Sequence, residues 1–480
     1  MKADFDAVVV GSGPNGLAAA IVLQQAGLSV LLIEGKNTIG GGLRSAELTL
    51  PGFIHDICSA IHPMAADSAV FEKFPLEKFG LEFDYSRFAA AHPFDDGTAV
   101  VLETSVEKTA KQFQDIQAYE QLMNPLLKNW QNIRTAFLGP LHFSKNLFKV
   151  TRFAYRALAP ASLFAKNNFK DEKLQALFAG MAAHSMLPLN KLTTSAIALI
   201  LMLIAHKKGW PLIKGGSQKL ADTLTAYYVS LGGKIEINNM ITSINQLPSS
   251  KIALFDVSPK QLLQIAGENF SALYKWQLQR YKYGMGVFKI DWALSQPAPF
   301  TAHECRQATT IHLGNSFNEI MQSEQAVWNG KHPEQPLIIY VQPTIIDASR
   351  APSEKHTAWA YCHVPNGSDI AMTDIIEKQV ERFAPNFRDC ILARHVMNTS
   401  AFENYNPNYT GGDINGGVLN FSQLFTRPAL RLSPYRTSAK NIYICSASTP
   451  PGGGVHGICG YYAAKRALKD HFNIHLPVLS

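Results

Sequence analysis

The chain has 480 residues, 46% hydrophobic and 17% charged, with a formal net charge of +7 and six cysteines. That is length enough for two or three packed units, and the composition is globular, without low-complexity tracts, repeats or the basic runs that grip nucleic acid. Cys58, Cys305, Cys362, Cys390, Cys445 and Cys459 contain no C-x-x-C pair, which argues against a metal site or redox disulfide and for reduced thiols in a cytoplasmic protein.

The first element predicted is a buried parallel strand at Val8 to Val10, running into Gly11-Ser12-Gly13-Pro14-Asn15-Gly16. It begins so close to Met1 that no leader peptide is expected before it. In this spacing Gly11 permits a sharp turn, Gly13 lets the backbone approach a pyrophosphate, and Gly16 lets the following helix pack on the strand. Leu17 to Gln25 are helix formers, Gly27 suits the helix end, and Ser29 to Ile33 read as a second strand leading to Glu34. Gly11, Gly13, Pro14, Asn15 and Gly16 therefore form the expected phosphate loop, with the helix N-terminus supplying amide donors. A carboxylate at Glu34 suits both ribose hydroxyls and disfavours a 2′-phosphate, which leaves FAD or NAD.

Residues 8–100 read as the first nucleotide-binding segment and residues 101–210 as mostly helical, with the longest apolar run, residues 196–205, too short to cross a bilayer. Within residues 143–158, Lys145, Lys149, Arg152 and Arg156 recur at helical spacing, with Leu147, Val150, Ala154 and Leu158 on the other side. Such a basic amphipathic helix could rest on an anionic membrane, or be an ordinary surface helix. Residues 215–244 give a turn, a helix with Leu220, Leu224 and Tyr227 inward, a stop at Gly232-Gly233 and a strand; Ile252 to Asp256 is another strand. Residues 281–365 predict a second sheet, and "NYTGGDINGG", residues 408–417, either a phosphate cradle or, in the favoured reading, a tight turn that aligns a loop on the pocket, with Asp413 bonding nearby amides. The chain ends on the strand "NIYICS", the glycine-rich turn "STPPGGGVHG" and a helix from about Gly460. Too little chain follows this turn for a second ribose carboxylate, so it is expected to close over the same cofactor, far from the adenine. Reduced flavin carries negative charge that amides there would stabilise, which favours FAD over NAD.

The predicted fold class is α/β: a Rossmann-type FAD domain assembled from residues 1–100, 211–275 and 430–480, with residues 101–210 and 276–429 forming an α+β substrate domain. No G-x-S-x-G, H-E-x-x-H or Walker A pattern competes.

The stretches "VVVGSGPNGLAAA", "DICSAIHP", "AGMAAHS", "GWPLIKGGSQKLADTL", "VFKIDWAL", "AYCHVPNG", "NPNYTGGDINGG" and "TPPGGGVHGICGY" resemble bacterial phytoene-desaturase-like FAD-dependent oxidoreductases, relatives of carotenoid desaturases and more distantly of monoamine oxidases. The resemblance implies noncovalent FAD. It places Gly41, Gly42 and Arg44 along the phosphates and ribityl chain, Ile241 at the adenine edge in the strand after Gly233, and Ser446, Gly453, Gly454, Val455 and His456 around the ribityl and isoalloxazine. His62 and His456 are the candidate catalytic bases, in segments expected near the flavin, with loop orientation through a backbone contact as the alternative for His456. His184 and His363 are expected as packed histidines of the substrate-domain wall.

The expected activity is dehydrogenation, foremost carbon–carbon desaturation, of an apolar or amphipathic substrate, with dioxygen or a quinone reoxidising the flavin. The alternatives are amine oxidation, double-bond isomerisation on reduced flavin, and a non-catalytic flavoprotein or assembly partner. An amine oxidase would set an aromatic pair and a lysine against the flavin; Tyr361, Tyr409 and Lys289 are the residues to locate.

Overall fold

The computed structural model describes residues 3–140 and 147–479. Five parallel strands form one sheet in the order Ile442–Ile444, Ser250–Phe255, Phe5–Val10, Val30–Ile33, Lys234–Glu236. Its strands come from the two ends and the middle of the chain, as a domain assembled from separated pieces requires. Val8, Val9, Leu31 and Leu32 are at most 2% exposed, because helices cover both faces and a parallel sheet is then buried throughout. The helix Pro14–Gln25 follows the first strand directly, with Pro14 at its first turn. It lies against the C-terminal helix Ile458–Phe472 so closely that a Cβ on Gly460 would fall 1.9 Å from the Asn15 carbonyl oxygen.

The helix Gln218–Ser230 buries Leu220 and Leu224 as expected, but Tyr228, not Tyr227, is the fully buried ring. Its hydroxyl donates to the Val30 carbonyl at 2.8 Å, which ties the helix to the sheet. The strand after Gly233 stops at Glu236, so Ile241 sits in the loop beyond it and not in a strand.

A second, seven-stranded sheet runs Ile391–Met397, Gly286–Leu294, His356–Val364, Ile338–Val341, Thr310–Leu313, Ala90–Pro93, Ala99–Leu102. Ala90–Pro93 and the start of Ala99–Leu102 fall within residues 1–100, so part of that first segment serves the second sheet. On one face Phe288, Ile290, Trp292, Ile338, Tyr340 and Ala360 pack with Ile376 and Val380 of the helix Thr373–Phe383. Strand alternation sends Lys289, Asp291, Trp359, Tyr361, Ile339, Val341, Thr310 and His312 to the other face, aligned by the pairs Lys289↔Tyr361, Tyr361↔Ile339, Trp359↔Val341 and Thr310↔Val341. A helical layer opposite this face includes Glu172–Ala183 and Thr194–Lys208, whose apolar stretch is consumed by packing among helices. No helix among the described residues is long and apolar enough to cross a membrane.

The helix Leu147–Leu158 covers the end of the basic stretch; Lys145 lies outside the described residues, as do the side chains of Leu147 and Lys149. Its inward face is Val150, Phe153 and Ala157, whereas Leu158, expected on that face, is exposed. The apolar side is thus spent on the helical core.

Candidate functional site

One large cavity joins the two sheets, about 2120 Å³ including its opening to solvent. Of the predicted cofactor residues, Gly11, Gly13, Pro14, Asn15, Glu34, Gly41, Gly42, Arg44, Ile241, Ser446, Gly454 and Val455 line it; Gly16, Gly453 and His456 do not.

The phosphate end is built by the absence of side chains. A Cβ on Gly13 would lie 2.7 Å from the Asp256 carboxylate, and one on Gly41 2.9 Å from Gly13 Cα. Gly11 has φ +97°, and a Cβ there would lie 2.9 Å from the Asp256 carbonyl oxygen. Gly13 at the N-cap of the helix Pro14–Gln25 has no side chain and Pro14 no N–H, and the Asp256 carboxylate takes the Gly16 N–H, which leaves the amide of Asn15, a lining residue, for an anion. A bare, amide-lined cradle of this kind fits a pyrophosphate. Gly16 acts one layer behind, where a Cβ would stand 2.0 Å from the Gly11 carbonyl oxygen; its own N–H donates to Asp256 Oδ2 at 2.8 Å. Asp256, at the end of the strand Ser250–Phe255, was missed from the sequence. It is pushed up to about 7 by burial, and the nearby Glu34 charge adds to the effect.

Glu34 already accepts four hydrogen bonds: from Ser12 N–H at 3.0 Å and Ser12 Oγ at 2.5 Å on Oε2, and from Lys36 N–H at 2.9 Å and Arg44 Nη2 at 3.0 Å on Oε1. A carboxylate has about four lone-pair sites, so a ribose hydroxyl binding there exchanges with one of these partners, and the Ser12 hydroxyl can rotate away. Arg44 also donates to the Thr38 and Gly41 carbonyls. Its guanidinium is thereby held beside Glu34 at the lining.

The middle of the cavity brings Cys58 and Ser59 together with Tyr409, Asn415, Gly416 and Ser446 to Ser448. Asp413 folds this turn as expected, accepting from Gly284, Asn415 and Gly417 N–H groups at 2.6, 2.8 and 3.0 Å. The turn supplies lining residues itself, among them Tyr409, Asn415 and Gly416. Gly453 packs beneath, where a Cβ would meet the Asn415 carbonyl oxygen at 2.9 Å.

The two candidate bases separate here. His456 Nδ1 accepts from Ile458 N–H at 3.0 Å, and Nε2 faces the Gly452 carbonyl at 3.3 Å. With both nitrogens committed to backbone and the ring fully buried outside the lining, it satisfies a donor at the start of the last helix and locks the glycine turn. His62 does line the cavity. Its Nε2 lies 2.7 Å from Ser217 Oγ, which donates to the Ser59 carbonyl at 2.6 Å; Nε2 must then carry the proton, leaving Nδ1 as a buried lone pair without a partner among the described residues. Burial drops this imidazole to about 4, so it is neutral near pH 7.

The far end is formed by the inner face of the second sheet and the helices opposite: Ile61, Met64, His184, Leu201, Trp210, Thr310, Ile339, Val341, Trp359 and Tyr361. Trp359 and Tyr361 stack at 5.9 Å and 16°. Lys289 is not part of the lining; it is 2% exposed, ion-paired with Asp291, and its Nζ sits 5.1 Å from the Trp359 ring centroid. His363 is held by Glu324 at 2.8 Å, a packed histidine as expected, while His184 reaches the cavity wall.

Residues 15–272 match the family described as Flavin containing amine oxidoreductase. Among curated proteins the chain is 24% identical to pyridine nucleotide-disulfide oxidoreductase domain-containing protein 2 of Mus musculus, over 99% of this chain and 95% of that one. It is 24% identical to a lycopene-forming phytoene desaturase of Pseudescherichia vulneris, over 96% and 98%. Among solved structures, putrescine oxidase bound to putrescine superposes with a TM-score of 0.62 at 14% identity, covering 98% of this chain and 99% of that one. The cofactor of this chain is FAD, which the bare cradle at Gly11 to Asn15 and the carboxylate of Glu34 fit. With more than half of its length matched, the chain belongs to the flavin containing amine oxidoreductase family.

Proposed function

We propose that the protein dehydrogenates an apolar or amphipathic organic substrate, with carbon–carbon desaturation the favoured form and dioxygen or a quinone as final acceptor. The supporting observation is the composition of the cavity's far end, where Ile61, Met64, Leu201, Ile339, Val341 and Trp359 provide an apolar wall continuous with the phosphate cradle. FAD, when bound, supplies the hydride acceptor. The chain's own residues orient the substrate against the aromatic pair Trp359–Tyr361, exclude water with the apolar wall, and offer His62 Nδ1 as a nearby proton acceptor. His456 positions the glycine turn and takes no proton. Amine oxidation would draw on Tyr361 and Tyr409, which both line the cavity, but Lys289 is tied to Asp291 outside it.

Anaerobic single-turnover assays with a panel of unsaturated hydrocarbons, alcohols and primary amines test the reading: flavin bleaching by the first two classes and not by amines is expected, and bleaching by amines alone would overturn it. Replacing His62 with Asn should lower the rate of bleaching about 100-fold while leaving the FAD content unchanged. An unchanged rate would remove the residue from the chemistry.

Membrane contact belongs to the same reading. Tyr155 at 84%, Leu192 at 47% and Leu430 at 71% exposure are apolar side chains open to solvent, with Arg152 also exposed. Flotation with anionic liposomes should carry the protein upward; absence of binding would refute the contact.

A further inference from the structure

The far end of the cavity is not uniformly apolar. His184, at the end of the helix Glu172–Ala183, and Thr310, at the start of its strand, both line it. Thr310 is 1% exposed, and its Oγ1 has no hydrogen-bond partner among the described residues. His184 Nε2 lies 2.9 Å from His312 Nε2, and its Nδ1 has no partner among the described residues.

The tautomers of this pair follow from where a proton can be afforded. If His184 donated through Nε2, neutral His312 would carry its proton on Nδ1, which is buried and unpartnered against the helix at Gly180; an orphaned N–H is the costlier arrangement. With the roles reversed, His312 Nε2–H donates, its Nδ1 keeps only a lone pair, and His184 holds its proton on Nδ1. Burial drops His184 to about 3, so the ring stays neutral. Beside the Trp359 indole N–H and the Tyr361 hydroxyl of the same wall, His184 therefore offers an N–H donor and Thr310 a hydroxyl, and none of these groups carries a charge. The charged residues of the lining, Glu34, Lys36, Arg44 and Asp256, all belong to the nucleotide end. Glu324 is fully buried behind His363, which caps its Oε2 at 2.8 Å.

We propose that His184 Nδ1–H and Thr310 Oγ1 form a recognition site for a neutral oxygen, carbonyl or hydroxyl, at one end of an otherwise apolar substrate. A carboxylate would find no cation here and an ammonium no lining carboxylate, while a pure hydrocarbon would leave both polar groups unpaired. This specificity site rests on the apolar-substrate reading above and narrows it to neutral oxygenated molecules.

The test uses the FAD-loaded protein and two probes of equal shape, 4-tert-butylcyclohexanone and 4-tert-butyl-methylenecyclohexane, titrated while the visible flavin spectrum is followed. The ketone should bind at least about tenfold more tightly than the alkene. His184→Leu should erase that preference, with alkene affinity unchanged or higher. Thr310→Val, nearly isosteric, should reduce it about threefold and gives a second route should His184→Leu fail to retain FAD. Equal binding of the two probes to the wild type, or an unchanged preference in both variants, would overturn the oxygen site and leave the apolar-substrate reading standing. Failure of both probes to perturb the spectrum at saturation would overturn the apolar-substrate reading itself and the oxygen site with it.

Discussion

Replacing Glu34 with Ala should weaken FAD binding about 100-fold. The carboxylate is 7% exposed and gathers four donors: the Ser12 and Lys36 amides, the Ser12 hydroxyl and Arg44 Nη2. Hydrogen bonds to a charged acceptor contribute roughly 1.5–3 kcal/mol each, and two would serve the ribose. Because binding exchanges one existing partner for a ribose hydroxyl, the net loss is about 3 kcal/mol, which corresponds to roughly 100-fold in affinity. The truncation also strips the anion from Arg44, whose remaining partners are the Thr38 and Gly41 carbonyls, so the apoprotein should lose a further few kcal/mol, on the order of 3, in stability. Glu34→Gln keeps one acceptor oxygen and should fall between, at about tenfold. Titrating deflavinated protein with FAD and following flavin fluorescence gives the affinities; a change below threefold in Glu34→Ala would refute the ribose assignment.

Gly460→Ala should destabilise the fold by at least about 2 kcal/mol, since its Cβ would fall on the Asn15 carbonyl, which is backbone of the neighbouring helix and cannot swing aside; an unshifted thermal unfolding curve would contradict the helix contact. Burial holds His55, His62, His92, His206 and His456 near 4 and His184 near 3. Below pH 6.5 the unfolded chain binds protons that the native state refuses, so stability is lost as pH falls towards 4, each ring costing about 2 kcal/mol by pH 5. Asp256, raised to about 7, acts with the opposite sign and offsets about one ring; Tm should still be several degrees lower at pH 5 than at pH 7, and a flat profile would contradict the buried, neutral histidines. At the phosphate cradle the same Asp256 should repel the cofactor once ionised: FAD affinity should fall as pH rises through 7 in the wild type and not in Asp256→Asn, and parallel profiles would exclude it.

The phosphate loop was legible because glycine spacing answers local demands: turn, close approach and helix packing each forbid a Cβ at a fixed position. Of the C-terminal turn, Ser448, Gly454 and Val455 line the cavity, whereas Gly453, Gly457 and Gly460 carry packing contacts that the same glycine pattern cannot tell apart. For His456 the residues left a base and a loop-orienting contact open, and the bonds to Ile458 N–H and the Gly452 carbonyl are those of the second, since they join groups two and four residues from the ring that no spacing rule specifies. Asp256 was not legible as a site residue because its partner Gly16 lies 240 residues away in sequence. The inner wall of the second sheet was hidden for another reason: all nine residues of Gly286–Leu294 are buried, so alternation produced no polar–apolar contrast beyond Lys289 and Asp291.

The most direct test of the central claim is the visible absorption spectrum of the purified protein, recorded anaerobically before and after NADH or NADPH, followed by acid precipitation. An oxidised-flavin band that the nicotinamides leave unbleached, with FAD recovered in the acid supernatant, is the expected result for a noncovalent FAD dehydrogenase of organic substrates. Absence of the band, flavin retained in the precipitate, or bleaching by either nicotinamide would contradict it.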